Sequence, residues 1–425
     1  MHDETVAIHG AYTSDWTRAV AVPVYQTIAH DFEDAAHAGA VFDLDIPGFH
    51  YNRLNNPTNS VLEGRLQAIE GGAGAVVLSS GAAAVNYSIT NLASAGDNIV
   101  TTPQLYGSTY TLFAYVFPGQ GIEVRFAEDD RPASIEPLID ASTKAIFCES
   151  VGNPALNVVD LRAVSDLAHG HGVPLIVDNT IATPMYLKPI SHGADVVVES
   201  LTKFIGGHGT TLGGAIIDAG RFPWAEHADR FPMFNRPEPA FHGVVYAEQF
   251  SEAPYAVRCR TVSLRNTGST LSPFGAFLLL QGLETLAVRL ERHESNTRAI
   301  ARYLADDPRV EWLSWLGDPR FPYYDLAQHY LNGHCPSIIT FGVAGGYEAG
   351  IRFFDSLKLF KRLVNMGDAK SLVAHPASTT HRQLSPEALA LVGVAPETIR
   401  LSIGIEHVDD LIADIDQALS AARRA

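Results

Sequence analysis

Apolar and polar positions follow two rhythms along the chain. Short runs rich in Val and Ile recur at residues 75–78, 98–101, 123–126, 144–148, 175–177, 195–198 and 214–217. Several are apolar at consecutive positions, as in strands covered on both faces. Between them, residues 61–70, 82–93 and 160–169 repeat apolar side chains at helical spacing. This alternation predicts an α/β unit built on a mostly parallel seven-stranded sheet. Residues 220–268 break the rhythm. They are rich in Pro and aromatics (Phe222, Trp224, Phe231, Phe234, Phe241) and read as an irregular insertion. A long helical pattern at 273–304 follows, then strand candidates at 310–316, 338–343 and 399–403, and a closing helix at 408–421. That region predicts a smaller α+β domain. The expected division is an arm (1–60), an α/β domain (61–268) and a C-terminal α+β domain (269–425).

Composition narrows the function. The 425 residues are 46% hydrophobic, enough for a large core and a smaller one. Lys and Arg total 30 against 47 Asp and Glu, a net charge of −17. Such a chain has no electrostatic footprint for nucleic acid and is repelled by anionic lipid. An anionic ligand must therefore be caught by a local pocket. The polar, acidic start lacks the features of a signal peptide, and the apolar stretch near 274–280 is too short to span a bilayer. Cys148, Cys259 and Cys335 are far apart, without metal-like spacing. These features predict a cytoplasmic globular protein.

In open parallel sheets, ligands sit beyond the carboxyl ends of the strands. After the run at 75–78 comes Ser79-Ser80-Gly81-Ala82-Ala83-Ala84, where hydroxyls and free N–H groups at a helix start suit an anion. Tyr106 follows the run at 98–101, and Asp178 ends the run at 175–177. Glu199-Ser200-Leu201-Thr202-Lys203 ends the run at 195–198, ahead of a glycine loop. Each residue alone has an ordinary reading: a helix cap, a turn tyrosine, a surface lysine. Together they supply what pyridoxal phosphate requires: phosphate donors, a ring stacker, an acid for the pyridinium nitrogen and a lysine for the Schiff base.

With these residues in place, the chain resembles the Cys/Met-metabolism group of pyridoxal-phosphate enzymes from about Pro23 to its end. The resemblance rests on Tyr51-Asn52-Arg53, Asn56-Pro57-Thr58, Ser80-Gly81-Ala82-Ala83, Leu105-Tyr106-Gly107, Glu149 through Asn153-Pro154, Asp178-Asn179-Thr180, Ser200 through His208 and Arg400-Leu401-Ser402. Within the group it is similar to the O-acetylhomoserine sulfhydrylases. The features are the long aromatic insertion, Gly367 through Leu372, and His375 through His381. Methionine γ-lyases typically carry a cysteine where this chain has Ser108.

The resemblance implies a fold-type-I enzyme in methionine biosynthesis that turns O-acetylhomoserine and sulfide into homocysteine and acetate. It implies that Lys203 forms the Schiff base and shuttles protons, that Tyr106 stacks on the ring, and that Asp178 pairs with the ring nitrogen. It places the phosphate on Gly81, Ala82, Ser200 and Thr202, with Tyr51 and Arg53 reaching it from a neighbouring subunit. Asn153, Ser371 and Arg400 would hold the substrate carboxylate. It further implies a dimer with shared sites, paired into a tetramer. The residues leave the acyl group and the sulfur donor open. The rival readings are a γ-lyase of the same family and a non-catalytic scaffold of the same fold. Phe222 to Phe241 reads either as a cover excluding water or as a subunit-packing loop. His375 and His381 flank Pro376 without a third ligand, which argues against a metal site.

Overall fold

The computed structural model describes residues 1–379, 382 and 395–423. Seven strands form the larger sheet: β1 (Gly74–Leu78), β2 (Asn98–Thr101), β3 (Glu123–Phe126), β4 (Thr143–Glu149), β5 (Leu175–Asp178), β6 (Val196–Glu199) and β7 (Gly214–Asp218). Their order is β1-β7-β6-β5-β4-β2-β3. All neighbours are parallel except β7, which runs antiparallel to both β1 and β6. Because β7 alone is reversed, the carboxyl ends of β1, β6, β5, β4 and β2 share one edge of the sheet.

The consecutive apolar residues have the expected cause: both faces are covered. Val77, Val100, Ile146, Cys148, Val177 and Val197 pack on one side with the helices Pro57–Glu70, Leu161–Gly170 and Pro273–Glu284. Val76, Leu78, Ile99, Phe147, Ile176 and Val198 pack on the other. The aromatic insertion is the outer layer of that second face. Phe222, Trp224, Phe231, Phe234, Phe241 and Tyr255 are buried there, with Trp224 stacked on Tyr255 at 6.0 Å between ring centroids. All three cysteines are free and buried.

The second sheet comprises β8 (Val310–Ser314), β9 (Ile338–Val343), β10 (Lys361–Arg362), β11 (Leu372–Ala374) and β12 (Thr398–Ser402), ordered β10-β11-β12-β9-β8. The helical stretch expected at 273–304 is two helices, Pro273–Glu284 and Leu286–Ala305, bent by 58° at Thr285. The N-terminal stretch is less irregular than expected. It contains helices Asp3–His9 and Ala35–Phe42, and the first is fastened to the larger unit. Arg65, fully buried, donates to the carbonyls of Ala7 and Gly10 and pairs with Glu284 at 2.9 Å. Among the described residues no single helix is long and apolar enough to cross a membrane.

Candidate active site

The shared sheet edge gathers the candidate residues around one cavity lined by Gly81, Ala82, Tyr106, Glu149, Asp178, Ser200 and Lys203. Just past β1, Ser80 is the N-cap of helix Gly81–Thr90, its side chain accepting from the Ala83 N–H at 3.1 Å. The N–H groups of Gly81 and Ala82 are the orphans of that first turn. Gly81 has to be glycine here: a Cβ would sit 2.6 Å from the Ser200 side chain. Two N–H groups and a hydroxyl therefore converge from β1 and β6 on a hollow that any larger residue would fill, which suits an anion at a helix N-terminus. The Thr202 hydroxyl faces a different partner, accepting from the Gly213 N–H at 3.0 Å.

Two carboxyls lie side by side at the strand ends, since Glu149 of β4 is in register with Asp178 of β5. Asp178 accepts from the Thr180 N–H at 3.0 Å. Burial pushes its carboxyl up, against the pull of Thr180 and the Lys203 charge. Glu149 accepts the Tyr106 N–H, which anchors the tyrosine at the cavity mouth. Burial and then the nearby Asp178 charge push Glu149 up as well. Such a pair is costly unless a proton or cation joins it. Behind them Asn179 ties β4 to β5, accepting from Ser150 at 2.9 Å and donating to the Leu187 carbonyl at 2.8 Å.

Lys203 lies in the turn after β6. Arg289 stiffens that turn from below, donating to the carbonyls of Phe204 and Gly282 at 2.7 Å each and Ile205 at 3.1 Å. The Lys203 amine lies 5.9 Å from the Tyr106 ring centroid and donates to Asn365 Oδ1 at 2.7 Å. Burial first, then the Arg400 charge, bring its pKa down to about 8, with Asp178 opposing. Arg400, on β12, donates to Asn153 Oδ1 at 3.2 Å and to the Asn365 carbonyl at 3.0 Å, while its Nε is buried without a partner. Among the described residues no carboxylate pairs with this guanidinium, although it is only 8% exposed. A buried, unpaired cation is expensive unless an anionic ligand completes it.

Most expected residues thus meet; Thr202 does not, its hydroxyl being bonded to Gly213, and three others lie apart from the cavity. Ser371 is fully buried, its hydroxyl donating to Glu406 at 2.9 Å and accepting from the Gly404 N–H at 2.8 Å. It locks a turn, and Asn365 takes the place beside Arg400 that was expected of it. Tyr51 and Arg53 are exposed, stacked on each other at 4.9 Å, and do not line this chain's own cavity. None of the insertion's residues lines this chain's own cavity. His375 is buried and bonded to Ser378 and to the Pro396 carbonyl, while Thr380 and His381 lie outside the described residues. Asn365, Glu149 and Arg289 were given no role from sequence. Asn365 reaches Lys203 because Gly367, at φ +70°, packs on Phe204; a Cβ there would lie 2.7 Å from the Phe204 ring.

The sequence profile of the Cys/Met metabolism PLP-dependent enzymes matches residues 4–420. The chain belongs to that family. It is 47% identical to a homocysteine synthase of Schizosaccharomyces pombe, over 99% of both chains. It is 46% identical to O-acetyl-L-homoserine sulfhydrylase 1 of Thermus thermophilus, over 99% of this chain and 100% of the other. A crystal structure from Campylobacter jejuni, assigned as an O-acetylhomoserine (thiol)-lyase, superposes with a TM-score of 0.95 at 42% identity, covering 99% of this chain and 100% of that one. It carries a pyridoxyl-lysine phosphate. MetB of Corynebacterium glutamicum superposes at 0.84 with 30% identity, over 99% and 98% of the two chains. As a family member, the chain is a pyridoxal-phosphate-dependent enzyme of fold type I. The glycine-floored anion hollow, the paired carboxyls and the unpaired Arg400 fit that cofactor and an amino-acid substrate.

Proposed function

We infer that this enzyme transfers the four-carbon amino-acid group of O-acetylhomoserine to sulfide, giving homocysteine and acetate in methionine biosynthesis. The observation that carries the reading is full-length likeness to enzymes named for this reaction, joined to a cavity lined by Lys203 and Asp178, with Arg400 linked to Lys203 through Asn365. Bound pyridoxal phosphate supplies the electron sink that makes the substrate's α- and β-hydrogens removable and lets the γ-acetate leave.

The protein's own part is to bind, orient and move protons. The Gly81 and Ala82 N–H groups and the Ser200 hydroxyl would hold the cofactor's phosphate. Asp178 would keep a proton on the ring nitrogen, and Tyr106 would cover the ring face. Lys203 takes the α-proton on its Nζ, handles the β-proton and returns both. A pKa near 8 lets that amine gain and lose a proton near neutral pH. Arg400 and Asn153 hold the substrate carboxylate, the guanidinium offering two parallel donors. Purified enzyme given O-acetylhomoserine and sulfide is expected to form homocysteine and acetate in equal amounts. Failure to form homocysteine would remove the reading.

The exposure of Tyr51 and Arg53 supports a site completed by a second chain: each pair serves the phosphate of its neighbour. The acting unit is then a cytoplasmic homodimer, paired into a tetramer. Arg53→Ala and Lys203→Ala chains, each inactive alone, should regain activity when mixed and reassembled. Random pairing makes about a quarter of the sites intact, so recovery toward that fraction is expected. No recovery, or a fully active monomer by sedimentation, would contradict sharing.

A further inference from the structure

The Lys203 amine and the Arg400 guanidinium meet on one residue. Asn365 accepts the amine on its side-chain oxygen at 2.7 Å and the guanidinium on its backbone oxygen at 3.0 Å. It lies between the helix Gly346–Ser356 and β11, so it approaches Lys203 from the second sheet's side. Gly367 sets that approach by seating the loop on Phe204, the residue after Lys203.

We propose that Asn365 is the positioning residue for the Lys203 amine: whenever the amine is free, the Asn365 carbonyl holds it beside the Arg400 clamp, where the substrate's carboxylate and α-carbon are presented. The proposal deepens the reading above and rests on it. The chemistry of the acceptor matters. An amide oxygen accepts from both –NH3+ and –NH2, somewhat more strongly from the charged form, and adds no charge of its own. A carboxylate there would favour the charged amine and hold it protonated, unable to act as a base. The remaining groups facing Lys203 do not supply such a neutral rest. Asp178 from β5 is committed to Thr180, Arg400 from β12 repels the charged amine, Glu149 is bonded to the Tyr106 N–H, and the Tyr106 ring offers only its face. One residue thereby fixes the separation of proton carrier and carboxylate clamp, and small misplacements of such groups cost orders of magnitude in rate.

The test compares the wild type with Asn365→Ala and the isosteric Asn365→Asp. Full-length protein is stripped of cofactor, checked for folding by its melting curve, and recombined with pyridoxal phosphate across pH, following absorbance. The neutral Lys203 amine condenses with the aldehyde and releases water, so the rate rises through the pKa of the amine. The wild-type midpoint is expected at about 8. Asn365→Asp should raise it by about one unit or more and Asn365→Ala should lower it, shifts that a merely structural role would not produce. In the reconstituted enzyme Asn365→Ala should lose about tenfold or more in kcat, with KM for O-acetylhomoserine changing less than about threefold. Coincident midpoints in all three proteins, or wild-type kcat in Asn365→Ala, would overturn the proposal. The midpoints require no amino-acid substrate, so an error in the assigned reaction would leave them displaced and is told apart from an error about Asn365.

Discussion

Lys203→Ala is expected to lower kcat by roughly three orders of magnitude or more, the scale of losing both the covalent anchor and the general base. The variant should still bind pyridoxal phosphate, because the Gly81–Ser200 hollow and Asp178 do not depend on the lysine. Borohydride should fix the cofactor to the wild type, on the peptide containing Lys203, and leave the variant unlabelled. Two features make the expected loss large. The lysine is the amine brought to this cavity, and burial beside Arg400 has already lowered its pKa to about 8. A variant turning over within tenfold of wild type would mean that the chemistry runs elsewhere.

Arg400→Lys is the second large effect. The change keeps the positive charge but removes the fork, so substrate grip should fall while the cofactor spectrum stays normal. Losing one charge-assisted hydrogen bond, at about 1.5–3 kcal/mol, corresponds to a KM for O-acetylhomoserine raised roughly 10- to 150-fold. The structure bears directly on the competing view, in which Arg400 is one half of an internal ion pair. Its partners are the neutral oxygens of Asn153 and Asn365, and its Nε has none. A KM within twofold of wild type would favour the structural role.

Much of this site was legible because a parallel sheet delivers ligand-binding residues in a fixed way. A consecutive apolar run ending in a polar residue marks a strand end, and strand ends in such sheets meet along one edge. Asp178, Lys203 and Tyr106 could therefore be grouped from sequence, and β7 was legible as a strand though not in its reversed direction. The second sheet was less legible. Strands of two or three residues, such as Lys361–Arg362 and Leu372–Ala374, are too short to carry a period. Ser371 and Asn365 show the consequence. Both are polar residues in one loop, and only the packing of Gly367 on Phe204 decides which faces Lys203. The bend at Thr285 left no mark because the apolar spacing runs on through it, with no proline in between. The insertion was only partly legible for a related reason: aromatic and proline content announces a packed loop, but not the surface it packs on. Those rings cover the face of the sheet made by Val76, Phe147 and Val198.

The reaction itself turns on the fate of the four-carbon fragment once acetate has left. A sulfhydrylase retains it until sulfide adds, whereas a lyase releases it as 2-oxobutyrate and ammonia. One assay separates them: purified enzyme with O-acetylhomoserine at saturating sulfide, counting thiol and oxo-acid products together, with methionine as a parallel substrate. Homocysteine well in excess of 2-oxobutyrate, and slow cleavage of methionine, are the expected results. Dominant 2-oxobutyrate, or rapid cleavage of methionine, would contradict the transferase assignment and make the enzyme a γ-lyase.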